Sequence, residues 1–188
     1  MSSVLRPAAS ASHAASRPES EASLQFSAMR VADVDVVTRI EQEAYPFPWT
    51  RGNFLDSLDS GYDAWVAREP VVSGGRIAGY FLLMPVVDEM HLLNITVRPD
   101  LQGQGLGSRL MDKVRERASA AAMTSILLEV RPSNQHALAV YHHFGFVQIG
   151  VRKHYYPAAA GSREDAIVMR LPIVATAATV ATRNGDGQ

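Results

Sequence analysis

One run of this 188-residue chain, Val97-Arg98-Pro99-Asp100-Leu101-Gln102-Gly103-Gln104-Gly105-Leu106-Gly107-Ser108, is built to hold an anion. Glycine lets backbone N–H groups converge without Cβ obstruction. The helix that follows adds unsatisfied N–H groups and the positive end of its dipole. Such a seat suits a phosphate or pyrophosphate. A second signal stands downstream. Glu129 is the only charge within Ile126-Leu127-Leu128-Glu129-Val130. Desolvation makes an unpaired carboxylate rare in a buried strand. Glu129 therefore faces a polar cleft or pairs with a cation, and Arg131 has the same-face spacing.

Two familiar phosphate loops fit poorly. A Walker loop needs lysine after its last glycine, and here Ser108 and Arg109 follow Gly107. A dinucleotide fingerprint needs a third glycine where Ser108 stands, although Glu129 lies roughly twenty residues on, as that motif requires. Hairpin strands and a helix pair also precede the loop, where a first βαβ unit would be expected.

These groups need elements to position them. Leu24 to Met29 alternates and predicts a strand. Asp33 predicts an N-cap for a helix carrying Val36, Val37, Ile40 and Ala44. Tyr45-Pro46-Phe47-Pro48-Trp49 breaks that helix, and Thr50 caps a short second one with Phe54, Leu55 and Leu58. Tyr62 to Ala67 and Arg76 to Pro85 predict a hairpin around Ser73-Gly74-Gly75. Glu89 to Val97 is the next strand, ended by Pro99. The helix after the glycines puts Leu106, Leu110, Val114 and Ala118 on one stripe. Ile126 to Val130 is a buried strand. Asn134 to Phe144 is a helix with Ala137, Val140, Tyr141 and Phe144 on one face, stopped by Gly145. Phe146 to Lys153 and Ala166 to Leu171 are the last strands. The expectation is one α/β domain, a mixed central sheet of about seven strands flanked by about four helices.

Set on this frame, Gln102-x-x-Gly105-x-Gly107 after a strand ending in Val-x-Pro resembles the acyl-CoA loop of the GNAT acetyltransferases. Leu93-Asn94-Ile95, Leu128-Glu129-Val130-Arg131, Ser133-Asn134, Phe144-Gly145-Phe146, Tyr155-Tyr156-Pro157 and Glu164-Asp165-Ala166 extend the match. Together they resemble the RimI group, the ribosomal-protein-alanine N-acetyltransferases. The resemblance spans about residues 24 to 173.

The resemblance implies a GNAT fold, a cytoplasmic enzyme and acetyl-CoA as co-substrate. Gln102, Gly103, Gln104, Gly105, Leu106, Gly107 and Ser108 would hold the CoA pyrophosphate. Asn94, Ile95, Thr96 and Val97 would offer backbone to the pantetheine arm. Asn134 would reach CoA and cap its own helix. Glu129 would be the catalytic base and Tyr141, otherwise a core tyrosine by its stripe, the general acid. Tyr155 and Tyr156 would line an acceptor groove opposite Phe47 and Trp49. The implied acceptor is a protein N-terminus, the alanine of small-subunit ribosomal protein eighteen. A peptide α-amine titrates near 7.7–8.0 and a lysine near 10.4, a gap of about 3.4 kcal/mol in deprotonation. A carboxylate can therefore serve an α-amine without an extreme pKa. Lysine or small-amine acetylation and a non-catalytic acyl-CoA module remain alternatives.

Composition narrows the field. Zero cysteines exclude disulfides, thiolate metal sites and an acyl-cysteine intermediate, in agreement with the direct transfer that the resemblance implies. His142 and His143 are adjacent on a helix and show no metal spacing, so no metal is expected. A net charge of −1 gives no general pull toward nucleic acid. No apolar run nears the roughly 18 residues of a membrane span. Residues 1–23 and 174–188 are rich in small and polar residues and read as flexible tails, with a transit peptide as a second reading of the first.

Overall fold

The computed structural model describes residues 24–70, 74–158 and 161–173. The two expected tails and Ser73 of the expected turn lie outside them. The elements run β1 (Gln25–Ala28), α1 (Val34–Ala44), α2 (Arg51–Asp59), β2 (Asp63–Arg68), β3 (Ile77–Val86), β4 (Glu89–Val97), α3 (Leu106–Ala120), β5 (Ser125–Val130), α4 (Gln135–His143), β6 (Val147–Pro157) and β7 (Arg163–Pro172). The strands form one mixed sheet in the order β1-β2-β3-β4-β5-β7-β6. This is the expected α/β architecture.

Helices cover both faces. On one, Leu110, Met111, Val114 and Ala118 of α3 bury against Phe81, Leu83, Met90, Leu92, Ile126 and Met169. On the other, Val34, Val37 and Ile40 of α1 and Phe54 of α2 bury against Val66, Tyr80 and Leu82. Each such side chain contributes about 1.5–3 kcal/mol relative to exposure. Thr50 caps α2 as expected: its hydroxyl accepts from Asn53 N–H at 3.3 Å, and Asn53 Oδ1 accepts from Thr50 N–H at 2.8 Å. Asp33 is the N-cap of α1 as expected, but its side chain makes no capping hydrogen bond. A 3₁₀ turn over Val31–Asp33 precedes α1, and the Asp33 carboxylate points backward to accept from Arg30 N–H at 3.0 Å and from Arg68. From the N-cap position of α1, its carboxylate anchors the turn to β2.

The feature that makes room for a site is a split between β4 and β5. They pair in parallel only from Glu89 to Leu92 and from Ser125 to Leu128. Beyond Leu92 the facing edge of β4 has no strand partner among the described residues. A bulge explains the bend. Leu82 opposes Asn94 and Leu83 opposes Leu92, so Leu93 is the extra residue. It also flips the alternation. Met90 and Leu92 join the α3 core, while Asn94 and Thr96 turn toward α1. Gly79 lets β4 and α3 close tightly behind this edge. A Cβ there would lie 2.7 Å from Thr96 O and 3.0 Å from Leu110 Cδ1.

The last hairpin runs further than the sequence suggests. β6 does not stop at Lys153 but continues through Tyr155, Tyr156 and Pro157. It crosses an irregularity between Arg152 and Tyr156, with His154 at φ +52°. The strained residue is held because its N–H donates to Asp165 at 2.9 Å. No helix among the described residues is long and apolar enough to cross a membrane.

Candidate active site

The split opens into a groove of about 470 Å³. Gln102, Gly103 and Gly107 line one end, and Tyr45 and Tyr141 the other. Gly103 and Gly105 take φ of +75° and +78°, the left-handed region that favours glycine. The N-cap of α3 is Gly105, so no side chain covers the first-turn N–H groups. The exposed edge of β4 forms one wall, with Val97 O held by the Gln102 amide at 3.1 Å. Asn134 accepts from Ala137 N–H at 3.1 Å, capping α4 with its side chain at the opposite wall. A long, thin molecule with a phosphate at one end fits this shape.

A second cavity of about 340 Å³ lies beyond. Phe47 and Trp49 stand on one side of it, Glu129 and Tyr156 on the other. Tyr45, Ile95, Asn134 and Tyr141 line both spaces and form the neck between them. A group delivered along the groove meets a group delivered through the second cavity at Tyr141.

Known proteins share this layout. A model of the acetyltransferase (GNAT) family matches residues 34–146. The chain belongs to the GNAT acetyltransferase family. It is an acetyl-CoA-dependent N-acetyltransferase. The [ribosomal protein bS18]-alanine N-acetyltransferase of Escherichia coli K12 is 36% identical over 148 residues, 79% of this chain and 97% of the relative. The Haemophilus influenzae protein of the same name is 32% identical over 144 residues, 77% of this chain and 95% of the relative. The crystal structure of the E. coli ribosomal-protein-S18-alanine N-acetyltransferase superposes with a TM-score of 0.73 at 35% identity, covering 81% of this chain and 96% of that one.

In this GNAT acetyltransferase, Ile95, Thr96, Val97, Gln102, Gly103, Gly107 and Asn134 line the groove as the sequence suggests. Gln104, Gly105, Leu106 and Ser108 belong to the same loop and first helical turn but not to the groove lining. Asn94 lines the second cavity instead, because the Leu93 bulge turns its amide to Glu41 at 3.2 Å. Phe47, Trp49 and Tyr156 line that cavity as expected, whereas Tyr155 stands at its rim, 42% exposed. Tyr155 hydrogen-bonds to Glu129, and this interaction, then burial, raises its phenol above the usual range.

The cation beside Glu129 is not Arg131. Arg152 of β6 takes that place, with Nε 2.8 Å from Oε1. β5 ends at Val130, so Arg131 has left the pleat. Its guanidinium lies 4.2 Å from the Tyr156 ring centroid and 5.5 Å from that of Phe47, and it donates to Pro157 O at 2.9 Å. Arg131 also meets Glu164 at 3.5 Å, which accepts from Ser133 N–H at 2.7 Å and the Ser133 hydroxyl at 2.9 Å. Burial pushes the Glu164 carboxyl up, but these hydrogen bonds outweigh it and hold it below its ordinary value. Tyr141 is 8% exposed. Burial, then the charges of Tyr45 and Tyr156, raise its phenol well above the usual range, so it stays protonated.

Two residues of the site escape sequence reasoning. Tyr45 at the neck donates to Ile95 O at 3.3 Å and accepts from Thr96 at 3.2 Å. Glu41, on the buried stripe of α1, lines the second cavity and is 2% exposed. Its position among Val34, Val37 and Ile40 was the available signal.

Proposed function

We propose that this enzyme acetylates a protein α-amine, and that its acceptor is the N-terminal alanine of ribosomal protein bS18 in the cytoplasm. The supporting observation is the neck, where a donor groove and a separate acceptor cavity containing Glu129 meet at Tyr141. The bS18-alanine acetyltransferases among its relatives support the choice of acceptor.

The groove fits the donor. The α3 N-terminus and the loop with Gly103 and Gly107 would take the pyrophosphate. The open edge of β4, where the Ile95 and Val97 carbonyls already accept from Tyr45 and Gln102, would pair with the amide-bearing arm. Acetyl-CoA supplies the thioester. The acceptor arrives largely as an ammonium, since its ordinary pKa is about 7.7–8.0. Glu129, directly or through a water, takes one proton to solvent. The neutral nitrogen attacks the thioester carbon. The C–N bond forms, the C–S bond breaks, and the electron pair leaves on sulfur. Tyr141 gives its proton to that sulfur and is restored by the second proton from nitrogen. No cysteine exists to carry the acetyl group, which agrees with direct transfer.

The test is steady-state CoA release with paired peptides beginning with alanine, one free and one N-terminally blocked. Turnover of the free peptide alone is expected. Equal turnover of a blocked, lysine-containing peptide would make lysine the acceptor. CoA binding with no transfer to any peptide would leave only a binding module.

A further inference from the structure

The second cavity contains two carboxylates in different electrostatic states. Glu129 has Arg152 beside it. Glu41 has three neutral donors and, among the described residues, no cation. Its Oε1 accepts from Trp49 N–H at 3.0 Å and Asn94 Nδ2 at 3.2 Å, and its Oε2 from the Tyr80 hydroxyl, while the Thr96 hydroxyl, whose single proton goes to Tyr45, lies 3.4 Å from Oε2. These donors come from the α1–α2 loop, β3 and β4. They satisfy the lone pairs of an ionised carboxylate without cancelling its charge. The titratable neighbours add no positive charge. Tyr45 and Tyr80 both stand above their ordinary values, through burial first and, at Tyr80, the Glu41 charge next. Arg131, the cation that lines the cavity, is engaged with Glu164.

A buried charge without a counter-ion is costly on its own. It becomes favourable when a cation enters the cavity it lines, because low dielectric strengthens the attraction. We propose that Glu41 is a specificity residue of the acceptor cavity, which draws in the α-ammonium of the incoming chain before Glu129 removes its proton. The inference rests on the α-amine reading above. It separates two tasks. Glu41 recognises the charged form, and Glu129 produces the reactive one.

The test is calorimetric binding of a free-amine peptide beginning with alanine to the CoA-loaded enzyme, at pH 6.5 and pH 9.5. Wild type is compared with Glu41→Gln and Tyr80→Phe. Glu41→Gln removes the charge and keeps acceptors for Trp49 and Asn94, while both hydroxyls can rotate to accept from the new amide. At pH 6.5 the peptide is mostly ammonium, and Glu41→Gln should weaken binding on the order of tenfold. At pH 9.5 it is mostly neutral, and the ratio should fall toward one. Tyr80→Phe keeps the charge and should show a smaller effect with no such pH dependence. Equal affinity of Glu41→Gln and wild type at pH 6.5 would overturn the inference. So would a loss of the same size at both pH values, or one matched by Tyr80→Phe, which would mark Glu41 as structural. Binding and transfer are read separately. Wild type that binds in this pattern but acetylates no α-amine would keep the inference and overturn the proposed function.

Discussion

Glu129 and Arg152 meet across two strand steps, from β5 over β7 to β6, with Nε 2.8 Å from Oε1. The arginine side chain is 58% exposed and the carboxylate 24%. Such a pair contributes little to stability, about 0–1 kcal/mol. Arg152→Ala should therefore barely move the Tm. Glu129→Gln should lower kcat by roughly 10²–10⁴ while the Kd for CoA stays unchanged. A large loss of CoA affinity in Glu129→Gln, read by calorimetry, would make Glu129 a structural residue.

Tyr141→Phe removes one hydroxyl from the neck without opening a cavity. We expect kcat to fall roughly 10²-fold with an unchanged Tm. The pH profile carries a second expectation. A phenol held above its ordinary value of 10 stays protonated throughout the working range. At saturating peptide, kcat should rise with pH as the α-amine deprotonates, near 7.7–8.0, and show no alkaline fall below about pH 10. A fall in kcat at saturating peptide between pH 8 and pH 9.5 would contradict this role for Tyr141.

Arg131 joins the two sides of the acceptor cavity, packing against Phe47 and Tyr156 and holding Pro157 O. Lysine keeps the charge but not the planar fork that stacks and donates. Arg131→Lys should raise the acceptor KM by about tenfold, the loss of one stacked, desolvated contact. The KM for acetyl-CoA should not change. Initial rates with each substrate varied in turn separate the two.

Gly79 tests the donor side. Alanine there must displace the Thr96 carbonyl or Leu110, because its Cβ would approach them to 2.7 Å and 3.0 Å. Overpacking of this kind costs about 1–3 kcal/mol. Gly79→Ala should lower the Tm by several degrees and raise the KM for acetyl-CoA, since β4 forms a wall of the groove. Thermal melts and donor kinetics check both.

The sequence made some of this legible and hid the rest for physical reasons. Element order followed from periodicity, and the lone carboxylate in an apolar strand marked Glu129. The glycine run marked the groove end. Strand alternation, however, carries no trace of the extra residue at Leu93. That bulge turns Asn94 and Thr96 toward α1 and moves Asn94 from the donor groove to the acceptor cavity. Glu41 was hidden because its donors come from Trp49, Tyr80 and Asn94, distant in sequence or on the backbone. Arg131 looked like the partner of Glu129 by spacing, yet β5 stops one residue before it. The true partner, Arg152, lies on a strand whose register two irregularities reset.

The most direct measurement uses unacetylated bS18 whose first residue is alanine, incubated with this enzyme and acetyl-CoA. Tandem mass spectrometry then locates the acetyl group. The account predicts it on the α-nitrogen of that alanine and nowhere else. Acetyl groups on lysine side chains, with the α-amine left free, would contradict it.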